Sequence, residues 1–240
     1  MDLSPEQRIA SAKVFEKTLQ GWRFVEYLGS GTSGDVYRIV RKDAAGAEER
    51  AVKIVTVPRD QNSWNERENT NSEMPKGTLV RSFEVERDRC LEEIRLMRKL
   101  SSSPSVVSYY DNVLVEGKLK LKDGSNVPQW IILVEMEYLM PLVQWRKNNK
   151  VLPTDIIRLG IELCSALETC EDCQILHRDI KEDNVYVDRH DDFRLGDFGA
   201  SRQLAASNAK TTAGTPLYMA PEVFSPKLFS DGGYAYQADI

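Results

Sequence analysis

Histidine occurs twice in 240 residues and cysteine four times. The single C-x-x-C, Cys170 and Cys173, has Cys164 upstream and Cys90 far away; a tetrahedral metal site would want a second pair or nearby histidines, and the chain has only two His. The same scarcity excludes a disulfide scaffold, and the thiols are expected to be free, buried or half-buried, in a reducing compartment. Long apolar runs are missing too. The most apolar stretch, Val127 to Val134, is closed by Glu135 and Glu137, far short of the ~20 residues that a membrane span needs. The N-terminus carries Asp2 and Glu6 and no apolar h-region, so it does not read as a secretory signal. A cytoplasmic setting is expected. Nor is there an excess of basic charge: 32 Lys and Arg stand against 37 Asp and Glu, a net charge of −5. Neither nucleic acid nor an anionic membrane is expected as a general partner.

What is present suits an ordinary globular protein, with 41% hydrophobic and 29% charged residues and a length between one and two domains at about 150 residues each. Ser4-Pro5-Glu6-Gln7 opens a short leader helix with a capping-box pattern and proline at its first position. From Trp22 large apolar and charged residues alternate, and period-two patterning resumes over residues 36–40 and 51–57, which predicts a three-stranded meander. Residues 58–78 are polar and punctuated and read as a loop insertion. A long helix is predicted over 79–100, with Phe83, Cys90, Leu91, Ile94, Met97 and Leu100 returning at helical spacing. Strands at 106–116 and 129–138 follow, around a turn at Asp123-Gly124. After Pro141 the texture becomes helical, above all over 154–173, with short strands at 185–187 and 193–195 and a long loop region beyond. The expected fold class is α+β, sheet-rich first and helix-rich second.

Three stretches carry chemistry. Gly29-Ser30-Gly31-Thr32-Ser33-Gly34 is a G-x-G-x-x-G run. It leads into a strand rather than a helix, which argues against a dinucleotide-binding turn, and it lacks the Lys-Ser/Thr of a Walker A loop. A glycine-rich hairpin lying over a nucleotide is left. Lys53 shares a strand face with Ala51 and Val55, where an ammonium needs an anion. Glu93 borders the apolar stripe of the long helix and is the better partner, while Glu92 is expected to face solvent. His177-Arg178-Asp179-Ile180-Lys181-Glu182-Asp183-Asn184 is a loop dense in groups that handle protons, phosphate and metal, and Asp197-Phe198-Gly199 adds a carboxylate suited to a hard cation.

Taken together, these residues resemble a eukaryotic-type protein kinase domain from about Trp22 onward. The resemblance implies a two-lobed fold, with a leader over 1–21, an N-lobe over 22–138 (five antiparallel strands and one long helix, with the 58–78 insertion) and a mainly helical C-lobe over 139–240. It implies ATP and Mg²⁺ as cofactors. Leu28, Gly29, Gly31, Gly34, Val36, Ala51, Lys53, Met136 as gatekeeper, Glu137, Leu139 and Tyr186 would bind the nucleotide, and Asn184 and Asp197 the metal. Lys53 and Glu93 would pair, Asp179 would position and deprotonate the acceptor hydroxyl, and Lys181 would stabilise the γ-phosphate. Lys181 and Thr215 resemble the serine/threonine branch, so the implied partners are proteins with Ser/Thr acceptors.

Arg178 directly before Asp179 suggests control by phosphate on Thr211 or Thr212, within the segment bracketed by Asp197-Phe198-Gly199 and Ala220-Pro221-Glu222. Dimerisation for phosphorylation in trans would accompany it. Two departures qualify the resemblance. Tyr186 stands where an aliphatic residue is commoner. Ala238-Asp239-Ile240 resembles the start of the helix that anchors the catalytic loop, so the C-lobe is expected to be cut short, without the Arg partner of Glu222. A kinase-like binding module without turnover is therefore the alternative, and a small-molecule kinase of related fold is a weaker third.

Overall fold

The computed structural model describes residues 3–31, 34–43, 46–70, 75–203, 214–224 and 236–240. The chain divides into two compact units, Met1–Ile94 with Tyr109–Tyr138, and Arg95–Ser108 with Leu139–Ile240.

Unit 1 is built on a five-stranded antiparallel sheet in the order β1-β2-β3-β5-β4, formed by β1 (Arg23–Gly31), β2 (Gly34–Asp43), β3 (Gly46–Val57), β4 (Tyr109–Lys120) and β5 (Asn126–Glu137). Period-two alternation puts Phe24, Tyr37, Ile39, Val52, Ile54 and Leu133 into one cluster. Ala12 and Leu19 from the leader, with Trp22 directly after it, close that cluster. The leader begins as α1 (Pro5–Ala12) and tightens into a 3₁₀ turn at Lys13–Lys17. Its capping box forms as the sequence implies: Gln7 N donates to Ser4 Oγ at 3.3 Å and Ser4 N to Gln7 Oε1 at 2.9 Å. β4 starts at Tyr109 rather than Val106; Val106 instead makes a parallel bridge to Leu195.

The expectation of a loop over 58–78 is overturned. Residues Gln61–Thr70 form α2, and the long helix α3 (Lys76–Leu100) starts before the predicted position. Asp60 and Ser63 cap α2 reciprocally, Ser63 N donating to Asp60 Oδ1 at 2.9 Å and Asp60 N to Ser63 Oγ at 3.0 Å. Only Trp64 of α2 is buried, which is why apolar periodicity did not show the helix. Its ring stacks on Phe83 of α3 with centroids 5.4 Å apart. Arg67 covers the Phe83 ring at 4.1 Å and pairs with Glu86 at 2.6 Å.

Unit 2 contains α4 (Leu142–Asn148), α5 (Pro153–Asp172) and the four-residue α6 (Pro221–Phe224). A three-stranded sheet joins β6 (Met140–Pro141), β8 (Val185–Val187) and β9 (Phe193–Leu195), while β7 (Ile175–Leu176) pairs with β10 (Arg202–Gln203). Leu142, Trp145, Val185, Val187 and Phe193 form its core against Leu159 and Leu163 of α5. The buried side of α5 continues through Ala166 and Cys170, and burial pushes the Cys170 thiol up to about 12. Cys164 is exposed, against the expectation that the thiols would be buried or half-buried, because it lies off that stripe. Ile156, Ile157 and Ile161 lie off it too and are exposed. Among the described residues no helix is long and apolar enough to cross a membrane.

The Trp64–Phe83 stack predicts that Trp64→Ala lowers unfolding stability by about 3–5 kcal/mol, read from urea denaturation. Trp64→Phe, which keeps an aromatic plane on Phe83, should lose clearly less.

Candidate active site

In unit 1, Lys53 lies on β3 between Val36 of β2 and Val134 of β5. Its ammonium is 2.9 Å from Glu93 Oε1 on α3, and both side chains are only 13% exposed. Two charges so far removed from water hold each other, because each alone would keep an uncompensated desolvation cost. Glu92 is half-buried rather than solvent-facing. One turn before Glu93, burial and then the Glu93 charge push the Cys90 thiol up to about 11, against the pull of Lys53, so it is no thiolate nucleophile.

The same unit carries the glycine hairpin. Gly31 and Gly34 pair at its tip, and Thr32 and Ser33 lie outside the described residues. A side chain at Gly34 would run into the Ile54 carbonyl, so the approach of β2 to β3 requires glycine there. Leu28 is exposed, and the register of β1 slips between Tyr27 and Gly29. Ala51 faces Met136, and Arg50 faces Glu137, across the β3–β5 ladder.

In unit 2 the catalytic-loop candidates converge. His177 is fully buried. Burial lowers its pKa against the raising influence of Asp239 and the Gly196 carbonyl, so the ring is neutral. Its Nε2 lies 3.1 Å from the Gly196 carbonyl, which can only accept, and Asp179 N donates to its Nδ1 at 3.3 Å. These contacts fix the Nε2–H tautomer. Arg178 has φ +67, a left-handed backbone that costs a non-glycine residue about 1–2 kcal/mol. It is held there by Asp239, whose carboxylate accepts from the amides of His177 at 2.6 Å and Arg178 at 2.7 Å. The Arg178 Nε donates to the Ala200 carbonyl at 2.7 Å.

Asp179 collects four donors. Thr215 N and Thr215 Oγ1 donate to Oδ1 at 2.7 and 2.6 Å. Lys181 Nζ and Asn184 Nδ2 reach Oδ2 at 2.8 and 3.0 Å. Burial would raise this carboxyl, but the bonds from Lys181, Thr215 and Asn184 outweigh it and hold the pKa below the usual carboxylate range. For Lys181, burial pulls downward and Asp179 more than compensates, leaving it raised. Lys181 Nζ also donates to Thr215 Oγ1 at 2.8 Å. Gly214, at φ +111, backs onto this loop so tightly that a Cβ would overlap the Arg178 carbonyl.

Asn184 Nδ2 also donates to the Asp179 carbonyl at 2.8 Å, which fixes the amide and turns its oxygen to the other side. Gly196 N donates to the Asn184 carbonyl at 2.8 Å, bringing the adjoining Asp197 alongside Asn184 in the chain's path. Asp197 is exposed, with φ +59. An amide oxygen and a carboxylate are hard donors, a set that suits Mg²⁺ and not a softer metal. Among the described residues no group of three or more His, Cys, Asp or Glu forms a metal cluster. Tyr186 is half-buried on β8, opposite Pro141 and Arg194. Leu139 is half-buried just before β6, and Thr211 and Thr212 lie outside the described residues.

Sequence reasoning treated Thr215 as a mark of the serine/threonine branch and missed that it ligates Asp179. It likewise noticed Asp239 only as part of an anchoring helix. No sequence signal pointed to the second: Asp239 is buried, and the two backbone amides that satisfy it lie about sixty residues away.

The chain matches the protein kinase domain family over residues 22–240. It is 33% identical to mouse serine/threonine-protein kinase Nek2 over 59% of this chain and 32% of that protein. It is 29% identical to mouse serine/threonine-protein kinase PAK 1 over 85% of this chain and 31% of that protein. With rat Misshapen-like kinase 1 it shares 26% identity over 91% of this chain and 14% of that protein. The chain thus spans about a third or less of the length of these relatives. Over its matched residues it belongs to the protein kinase domain family.

Proposed function

We propose that this chain transfers the γ-phosphate of ATP to serine or threonine hydroxyls of proteins in a Mg²⁺-dependent reaction. The observation that carries this reading is the Asp179 carboxylate, ionised and aimed by Lys181, Asn184 and Thr215. Phosphoryl transfer through a loose transition state is catalysed mainly by positioning and charge neutralisation. Asp179 orients the acceptor hydroxyl and takes its proton as the new O–P bond forms and the bond to the ADP oxygen breaks. Lys181 sets a positive charge against the moving phosphoryl group. Lys53, held by Glu93, binds the α- and β-phosphates.

For the nucleotide, Gly29, Gly31 and Gly34 let backbone N–H groups approach the phosphates. Leu28, Val36, Ala51, Met136, Leu139 and Tyr186 offer apolar surface to adenine, and the backbone of Glu137 and Leu139 bonds to its edge. Asn184 and Asp197 would hold the metal, which when bound neutralises charge on the phosphate oxygens. Control is assigned to phosphate on Thr211 or Thr212 paired with Arg178, laid down in trans by a second copy.

Three outcomes follow, each read as labelled phosphate transferred to a generic protein acceptor. Asp179→Ala lowers the rate by roughly 10²–10⁴; equal activity in this variant and the wild type removes the proposed base. Thr215→Ala lowers kcat roughly ten- to a hundredfold through the loss of a hydroxyl bonded to a charged group, whereas Thr215→Ser, which keeps the hydroxyl, restores most of it. Mass spectrometry of active protein finds phosphate on Thr211 or Thr212, and the Thr211→Ala/Thr212→Ala double variant loses activity; unchanged activity there rules out this mode of control.

A further inference from the structure

The leader precedes the stretch that matches the family, which begins at residue 22, yet it reaches the glycine hairpin. α1 and the 3₁₀ turn are seated on the sheet by Ala12 and Leu19, with Ile9 and Phe15 packed alongside. From that base Arg8 extends to two strands at once. Its Nη1 is 3.1 Å from Asp35 Oδ1, with the two side chains 16% and 22% exposed. Its guanidinium lies 5.0 Å from the centroid of the Tyr27 ring, and its Nε donates to the Leu3 carbonyl at 3.3 Å. The Tyr27 hydroxyl donates to the same Asp35 oxygen at 3.4 Å, and Arg59 Nη2 stands 3.5 Å from the other. Tyr27 lies on β1 and Asp35 on β2, where Asp35 pairs with Ser30 next to the Gly31–Gly34 tip.

We propose that the leader is a clamp on the glycine hairpin and that Arg8 is a positioning residue for nucleotide binding, an inference that rests on the kinase reading above. A hairpin rich in glycine has much conformational freedom to lose when its amides gather round phosphates. A side chain anchored on a third element and touching both strands removes part of that freedom beforehand, and such preorganisation appears as affinity. Arginine suits the task because one planar group can pair with Asp35 and stack on Tyr27 together, which an ammonium does poorly. The strand register slips between Tyr27 and Gly29, as it does between Phe24 and Glu26, so the sheet ladder alone holds β1 irregularly where Arg8 takes hold.

The test uses the full chain with Arg8→Ala, Arg8→Lys and, as a control on the same leader, Lys13→Ala. Amide hydrogen exchange is followed over residues 29–36 without nucleotide, and KM for ATP and kcat are measured. In Arg8→Ala, exchange over 29–36 rises and KM for ATP increases, both by roughly three- to thirtyfold, the range expected for losing a partly buried pair and a cation–π contact. The rest of unit 1 exchanges as before and kcat stays within about twofold, as for an interaction made equally in ground and transition states. Arg8→Lys regains only a minor part, and Lys13→Ala matches the wild type. Unchanged exchange and KM in Arg8→Ala overturn the clamp, as does a rise spread evenly through unit 1, which marks a merely structural contact. If the wild type transfers no more phosphate than Asp179→Ala, the kinase reading fails, while the exchange measurement still decides whether Arg8 orders the hairpin.

Discussion

A carboxylate that stays ionised while partly withdrawn from water is the constraint around which unit 2 is arranged. Asp179 can do so only because donors occupy both of its oxygens, and these donors come from two separate stretches of chain. Lys181 and Asn184 belong to the same loop as Asp179, whereas Thr215 lies 36 residues further on, next to Gly214, whose missing side chain lets it back onto the Arg178 carbonyl. The loop carrying Asp179 is fixed in turn by the neutral His177 ring and by the left-handed turn at Arg178. Strain at Arg178 persists because Asp239 and the Ala200 carbonyl over-determine it.

Unit 1 solves the converse problem, a cation within a sheet. Lys53 shares its strand face with Ala51 and Val55, both buried, and its charge meets Glu93. That pairing needs α3 held at one height along the sheet. α2 braces the N-terminal half of α3 through the Trp64–Phe83 stack, and the Lys76–Asp123 pair at 2.6 Å ties its first turn to the β4–β5 turn. Being exposed, that pair adds little energy, so the aromatic stack is the main brace.

Strand alternation was legible where one face of the sheet is buried, as on β2, where Tyr37 and Ile39 are buried and Val36, Arg38 and Val40 half-buried; over 51–57 both faces are largely covered, and β-branched residues carried the reading. Lys53 and Glu93 could be matched from sequence because a charge on an apolar stripe calls for a counter-charge on another. The α2 helix was not legible: a polar helix with one buried tryptophan has no stripe, and its only local sign is the Asp60–Ser63 cap. Ile156, Ile157 and Ile161 show the opposite failure, apolar residues at helical spacing that the described residues leave exposed. Asp179, Lys181 and Asn184 sit close together in sequence and were read as one loop. Thr215 and Asp239 act on that loop from far along the chain, and spacing has no bearing on contacts that only tertiary structure creates.

The contact from His177 N to Asp239 spans 62 residues of sequence. A ribosome adds roughly 5–20 residues each second, so the amides of His177 and Arg178 wait on the order of 3–12 seconds for the carboxylate that sets their direction. Throughout that interval the sheet of unit 1, whose strands all lie earlier in the chain, can already pair. In the nascent protein the strand that carries Lys53 can therefore pair well before the turn that carries Asp179 is locked, and the loop from His177 to Asn184 is late to mature although its own residues are made earlier.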